Sequence, residues 1–142
     1  MIQLQQYEGE GTLERAIEIA ARAHEGAPDK GGSPYILHPL RVMGRMTTET
    51  GRIAAVLHDV VEDSPLTLED LRARGFPVEI VEAVDCLTKR AGESYDQLIG
   101  RAAANPIALR VKMADLEDNM DIRRMRDVTA TAIERLERYR AA

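Results

Sequence analysis

Three features of the sequence predict an all-α fold. Apolar residues recur at helical spacing almost throughout, and no segment alternates apolar and polar residues as a half-buried strand would. Trp is absent and aromatic content is only 4%, so the core must rest on Leu, Ile, Val, Met and Ala, which favours helices. The 142 residues, 44% hydrophobic and 30% charged, suffice for one core without staples. Residues 1–142 are therefore read as a single compact bundle of about seven to eight helices with no sheet.

The elements follow from their caps and breakers. Thr12 caps a first helix from Leu13 to about Glu25, which Gly26 ends. Residues 27–34, Ala-Pro-Asp-Lys-Gly-Gly-Ser-Pro, form a loop by their Gly and Pro content. Pro39 sits where the first turn of a helix tolerates it, and this second helix is predicted to run to about Thr47. A third, carrying Ile53 to Asp63 without interruption, stops near Ser64-Pro65. Thr67 caps a short helix, Pro77 starts another through Leu87, and Ser94 caps one through Ala103. Pro106 opens a long segment to about Arg124, and Asp127 begins a final amphipathic helix.

Composition excludes several classes of function. A net charge of −5 argues against a general nucleic-acid binder, which carries a basic excess. No apolar run is long enough to span a bilayer, and Met1 to Gln6 lacks the regions of a signal peptide. The lone Cys86 rules out an internal disulfide and fits a reducing cytoplasm. Self-association into a homo-oligomer is compatible with the sequence and is not specified by it.

His58-Asp59-Val60-Val61-Glu62-Asp63 concentrates the chemistry. At about 100° per residue, His58, Asp59, Glu62 and Asp63 leave one side of a helix whose opposite arc holds Ile53, Val56, Leu57, Val60 and Val61. Charged helix faces are usually solvated, but those interleave Lys or Arg with the acids, and none lies between Ile53 and Asp63. Partly buried carboxylates without such partners are costly, and a bound cation compensates them. One helical turn rarely completes a coordination sphere. His38, where a Gly/Pro-rich loop becomes a helix, is a candidate ligand. On the helix near the C-terminus, Asp115 shares a stripe with Lys112, Asn119 and Arg123, whereas Glu117, Asp118 and Arg124 read as a surface pattern of paired charges. His24, in the last turn of the first helix, is given a structural role in which the helix dipole favours a cation. Two imidazoles and two carboxylates suit Mn²⁺, Fe²⁺, Co²⁺ or Zn²⁺ rather than Ca²⁺.

Five blocks in this order carry a resemblance: residues 23–26 (Ala-His-Glu-Gly), 34–40 (Pro-Tyr-Ile-Leu-His-Pro-Leu), 57–63, 87–89 (Leu-Thr-Lys) and 111–120 (Val-Lys-Met-Ala-Asp-Leu-Glu-Asp-Asn-Met). From about Leu13 to Met125 the chain resembles the HD superfamily of metal-dependent phosphohydrolases. Within it, the match is to the hydrolase domain of the RelA/SpoT-type enzymes that cleave the alarmone (p)ppGpp. The resemblance implies an enzyme of the small stand-alone form. His38, His58, Asp59 and Asp115 match the family's ligands to Mn²⁺, and Glu62 and Asp63 match the acidic pair that orients or deprotonates the attacking water. Lys30, Tyr35 and Asn119 match substrate-binding positions, to which Lys112 and Arg123 are added from their place on the Asp115 stripe. The implied reaction is attack of a metal-activated water on the 3′-diphosphate, releasing pyrophosphate. Two positions depart from the pattern. Asp29-Lys30 stands where the family usually has an Arg-Lys pair, and Asp121-Ile122 where it commonly has Arg-Thr. Both place negative charge where a polyanion is expected, so Asp29→Arg is expected to improve (p)ppGpp hydrolysis. The alternatives are hydrolysis of another phosphorylated nucleotide, such as a nicotinamide dinucleotide phosphate or a nucleoside monophosphate, and a nucleotide-binding module without turnover.

Overall fold

The computed structural model of the protein describes residues 11–120. The predicted helix from Asp127 lies outside the described residues, as do Asp121, Ile122 and Arg123. The described part is helical, in the order α1 Leu13–Ala23, α2 Leu37–Gly44, α3 Glu49–Leu57, α4 Val60–Asp63, α5 Leu68–Ala73, α6 Val78–Leu87, α7 Tyr95–Ala103 and α8 Pro106–Asn119. An isolated bridge between Pro28 and Pro34 is the one β-type pairing among the described residues.

The predicted caps act as their chemistry requires. Thr12 Oγ1 accepts from Arg15 N at 3.2 Å and Ser94 Oγ from Gln97 N at 3.1 Å, each satisfying an orphan donor of the first turn. Gly26 reverses the chain after α1 with a φ of 80°, a conformation that costs glycine nothing. Helix α2 ends at Gly44, before the expected Thr47, because the following residues serve α3: Thr48 caps it, accepting from Gly51 N at 3.0 Å.

Helix α3 is the centre of the bundle and touches α1, α2, α6 and α8. Ile53, Val56 and Leu57 pack into one apolar cluster with Ala16, Ile19 and Ala20 of α1, Leu71 of α5, and Ile80, Val81 and Val84 of α6. Ala54 and Ala55 face a second cluster with Val42 and Met46 from the α2 side and with Ala108, Val111 and Ala114 of α8. Small side chains there allow α2 and α8 to approach closely, and these two helices carry His38 and Asp115, the candidate ligands outside α3.

The third helix is not continuous as predicted. It ends at Leu57, and Asp59 (φ −104°, ψ −2°) separates it from the single turn of α4. Consecutive residues on a continuous helix point about 100° apart and do not face each other. The break removes that constraint and lets His58 and Asp59 turn toward the same point.

Candidate metal centre

Three parts of the chain meet at the ends of α2 and α3. His38 comes from the first turn of α2, His58 and Asp59 from the break after α3, and Asp115 from the middle of α8. Ligand atoms of His38, His58 and Asp115 all lie within 4.8 Å of one another, and all three residues are buried. Asp59 adjoins them, its Oδ2 3.1 Å from His58 Nε2. Tyr35 Oη donates a hydrogen bond to the same oxygen.

The proton inventory shows why this cluster calls for positive charge. His58 Nδ1 lies 2.5 Å from the Ala55 carbonyl oxygen, a contact that requires an N–H. In the neutral ring, Nε2 then carries a bare lone pair. That nitrogen is buried and without a hydrogen-bond partner, facing Asp59 Oδ2 at 3.1 Å and Asp115 Oδ1 at 3.7 Å. His38 repeats the pattern, with Nδ1 2.6 Å from Asp118 Oδ2 and Nε2 2.8 Å from Asp115 Oδ1. A neutral imidazole has one proton for those two carboxylates. Two lone pairs aimed at carboxylate oxygens are satisfied by protons or by a metal cation, and mixed nitrogen and oxygen donors fit a divalent ion of the first transition row.

The titration behaviour has the same origin. Burial disfavours the charged form of His58, yet the Asp59 charge and the nearby Asp115 and Asp59 carboxylates, which would accept a proton on Nε2, outweigh it and raise its pKa well above the ordinary 6.5. Burial likewise opposes ionisation of Asp59, but the His58 charge, the contact with the His58 ring and the hydrogen bond from Tyr35 bring it down to about 2. Asp115, also penalised by burial, is held far below the carboxylate range by its contacts with the His38 and His58 rings and by the charges of His58 and Lys112. Burial and the Asp59 charge push the Tyr35 hydroxyl far up. Asp63 is raised by burial and by the Asp59 and Glu62 charges.

The remaining expected site residues divide. Lys112 Nζ and Asn119 Nδ2 donate to Asp115 at 3.2 and 3.3 Å, so both sit at the cluster. Glu62 is exposed and accepts from Lys89 N at 2.6 Å, tying α4 to the loop after α6. Lys30 is exposed on the loop before α2, and Arg123 lies outside the described residues. Asp29, expected from its charge to disfavour a polyanion, is part of the loop's own hydrogen bonding. Its Oδ1 accepts from Gly31 N and Ser33 N, both at 2.9 Å, and so folds the loop.

Two residues read differently in the structure. Asp118, taken for part of a surface pattern, is fully buried between His38 and Arg41 Nε, the latter at 2.8 Å. His24 is buried against Tyr35, ring centroids 4.8 Å apart, with Nδ1 3.8 Å from Asp63 Oδ2. Burial lowers its pKa, which disfavours the cation that the helix dipole was expected to stabilise. The ring series continues from Tyr35 to His38 and from His38 to His58, each at 5.5 Å. A separate cavity of about 640 Å³ between Arg45, Met46, Pro106, Arg110 and Met113 contains none of these groups.

No family model matches the chain. A GTP pyrophosphokinase of Streptomyces coelicolor is 38% identical over 122 residues, covering 76% of this chain and 14% of that protein. A guanosine-3′,5′-bis(diphosphate) 3′-pyrophosphohydrolase of Aquifex aeolicus is 34% identical, covering 76% of this chain and 17% of that protein. The bifunctional (p)ppGpp synthase/hydrolase SpoT of Escherichia coli is 34% identical with the same coverage. The chain thus spans less than a fifth of the length of the curated relatives it matches. Among solved structures, a metazoan ortholog of SpoT that hydrolyzes ppGpp matches with a TM-score of 0.74 at 24% identity, over 89% of this chain and 80% of that one; it shares the fold.

Proposed function

From the premise that this chain is a relative of the RelA/SpoT-type HD hydrolase domain, we propose that it is a metal-dependent phosphohydrolase that removes the 3′-diphosphate of (p)ppGpp. The observation that carries the reading is the meeting of His38, His58 and Asp115, with imidazole lone pairs turned toward carboxylates. Asp59 is proposed as the fourth ligand, and Mn²⁺ as the cation, which suits two imidazoles and two carboxylates. When bound, such an ion lowers the pKa of water and offsets phosphate charge.

The protein's own groups do the rest. Tyr35 holds Asp59 in place through its hydroxyl. Lys112 brings a half-buried positive charge to the edge of the cluster, where it meets the substrate's phosphates, and Lys30 contributes a second from the loop. Asn119 reaches from Asp115 toward the ribose. Asp63 accepts the proton of the attacking water, because Glu62 is engaged with Lys89. A new P–O bond forms as the bond from phosphorus to the ribose 3′ oxygen breaks. Pyrophosphate leaves, the 3′ oxygen takes up a proton, and GDP or GTP remains. The chain acts as one domain, and the lone Cys86 suits work in the cytoplasm.

Pure protein incubated with Mn²⁺ and separately with (p)ppGpp, a nicotinamide dinucleotide phosphate and nucleoside monophosphates tests the reading through the phosphate species released. Equimolar pyrophosphate and GDP or GTP, abolished by chelation, is expected. Release of orthophosphate from another nucleotide alone would transfer the assignment to that substrate. Binding without any release would make the chain a nucleotide-binding module.

A further inference from the structure

We infer that Asp118, clamped by Arg41, is a positioning residue that fixes the tautomer of His38 and thereby determines whether its Nε2 can bind a cation. The inference rests on the metal-centre reading above and concerns two residues outside the ligand set.

Asp118 is fully buried in the fourth turn of α8. Its Oδ2 lies 2.6 Å from His38 Nδ1 and its Oδ1 accepts from Arg41 Nε at 2.8 Å. Burying a carboxylate this completely is costly unless charge and hydrogen bonds compensate it. Arg41, one turn after His38 on α2 and part-exposed, supplies the charge. A carboxylate has no proton to give, so Asp118 requires His38 to carry its proton on Nδ1. The lone pair is thereby assigned to Nε2, which points at Asp115 and the cluster. An imidazole ligand with its other N–H held by a carboxylate has a fixed ring orientation and is a better donor to metal.

The arrangement makes a test that a merely structural role would not pass. In Asp118→Asn the shape is kept, but Arg41 Nε–H still demands an acceptor and aims the amide oxygen at itself. The amide N–H then faces His38 Nδ1 and favours the wrong tautomer, with the proton on Nε2, as in carboxylate-to-amide exchanges beside other histidines. Removing Arg41 as well, in Arg41→Met/Asp118→Asn, frees the amide to turn its oxygen to Nδ1–H.

Mn²⁺ affinity without substrate, from the paramagnetic resonance of free Mn²⁺, is therefore expected to fall by about 10- to 100-fold in Asp118→Asn. The double variant is expected to recover at least a third of that loss on a logarithmic scale. The imidazole nitrogen resonances of His38 in the metal-free protein, above the pH of imidazole titration, should show Nδ1 protonated in wild type and Nε2 protonated in Asp118→Asn. The far-ultraviolet spectrum should stay that of wild type. An unchanged tautomer and an affinity within twofold of wild type in Asp118→Asn would overturn the inference. A double variant weaker than the single would remove Arg41 from it. Should wild type bind no Mn²⁺, the metal reading fails, and the nitrogen resonances still decide the role of Asp118.

Discussion

Replacing Glu62 separates the role its sequence position implies from the one its contact implies. Glu62 Oε1 accepts from Lys89 N at 2.6 Å from an exposed side chain. Gln retains an acceptor oxygen of the same reach, so Glu62→Gln changes a charge-assisted bond into a neutral one. The difference is about 1 kcal/mol before solvent screening, so kcat should fall less than about tenfold. Glu62→Ala removes the acceptor, costs more, and should speed amide exchange at Lys89. Asp63→Asn removes the proposed proton acceptor, and help of that kind is typically worth about 10²–10⁴ in rate. The assay is steady-state pyrophosphate release from (p)ppGpp at saturating Mn²⁺, with metal content measured on every variant. If Glu62→Gln loses 10²-fold or more at unchanged metal content while Asp63→Asn stays within tenfold, the base is Glu62. The argument from the Lys89 contact is then refuted.

Mn²⁺ affinity should depend on pH through His58. Its pKa is raised well above 6.5, and only the neutral ring binds metal, so affinity climbs with pH until that raised value is passed and falls as pH drops below it. A midpoint at or below 6.5 would contradict the proton placement. Asp29→Arg strips two loop amides of their acceptor, so exchange at Gly31 and Ser33 should quicken by roughly tenfold, about 1 kcal/mol each, while Asp29→Asn stays near wild type. Unchanged exchange in Asp29→Arg would contradict the role of Asp29 in folding this loop. Leu57→Ala, at a side chain with no exposed surface, should cost about 2–5 kcal/mol in urea unfolding; a loss below about 1 kcal/mol would mean that the α1, α3 and α6 cluster does not depend on it.

Local chemistry made much of this legible in the sequence. Thr12 and Ser94 were readable as caps because a hydroxyl before an apolar-periodic run has a nearby amide to satisfy, and Pro39 and Pro106 because first turns tolerate a missing N–H. His38, His58 and Asp115 could be singled out by residue type and order, and the fold joins them. Angular arithmetic failed at Asp59, where it assumed a continuous helix, whereas the chain turns at His58 and Asp59 before α4 begins. Asp118 was hidden because its meaning depends on Arg41 and His38, about eighty residues away in sequence and adjacent only after α2 packs on α8. The loop role of Asp29 was missed for the opposite reason: its partners are two and four residues away, and a comparison of charges overlooked them.

The most direct test of the central claim is the position of a single Mn²⁺ in crystals of the protein grown with that ion, located by anomalous diffraction. The account predicts one peak bonded to His38 Nε2, His58 Nε2 and an Asp115 oxygen, with Asp59 completing the protein ligands. A protein that takes up the ion elsewhere, or leaves His58 Nε2 without a metal bond, would contradict it.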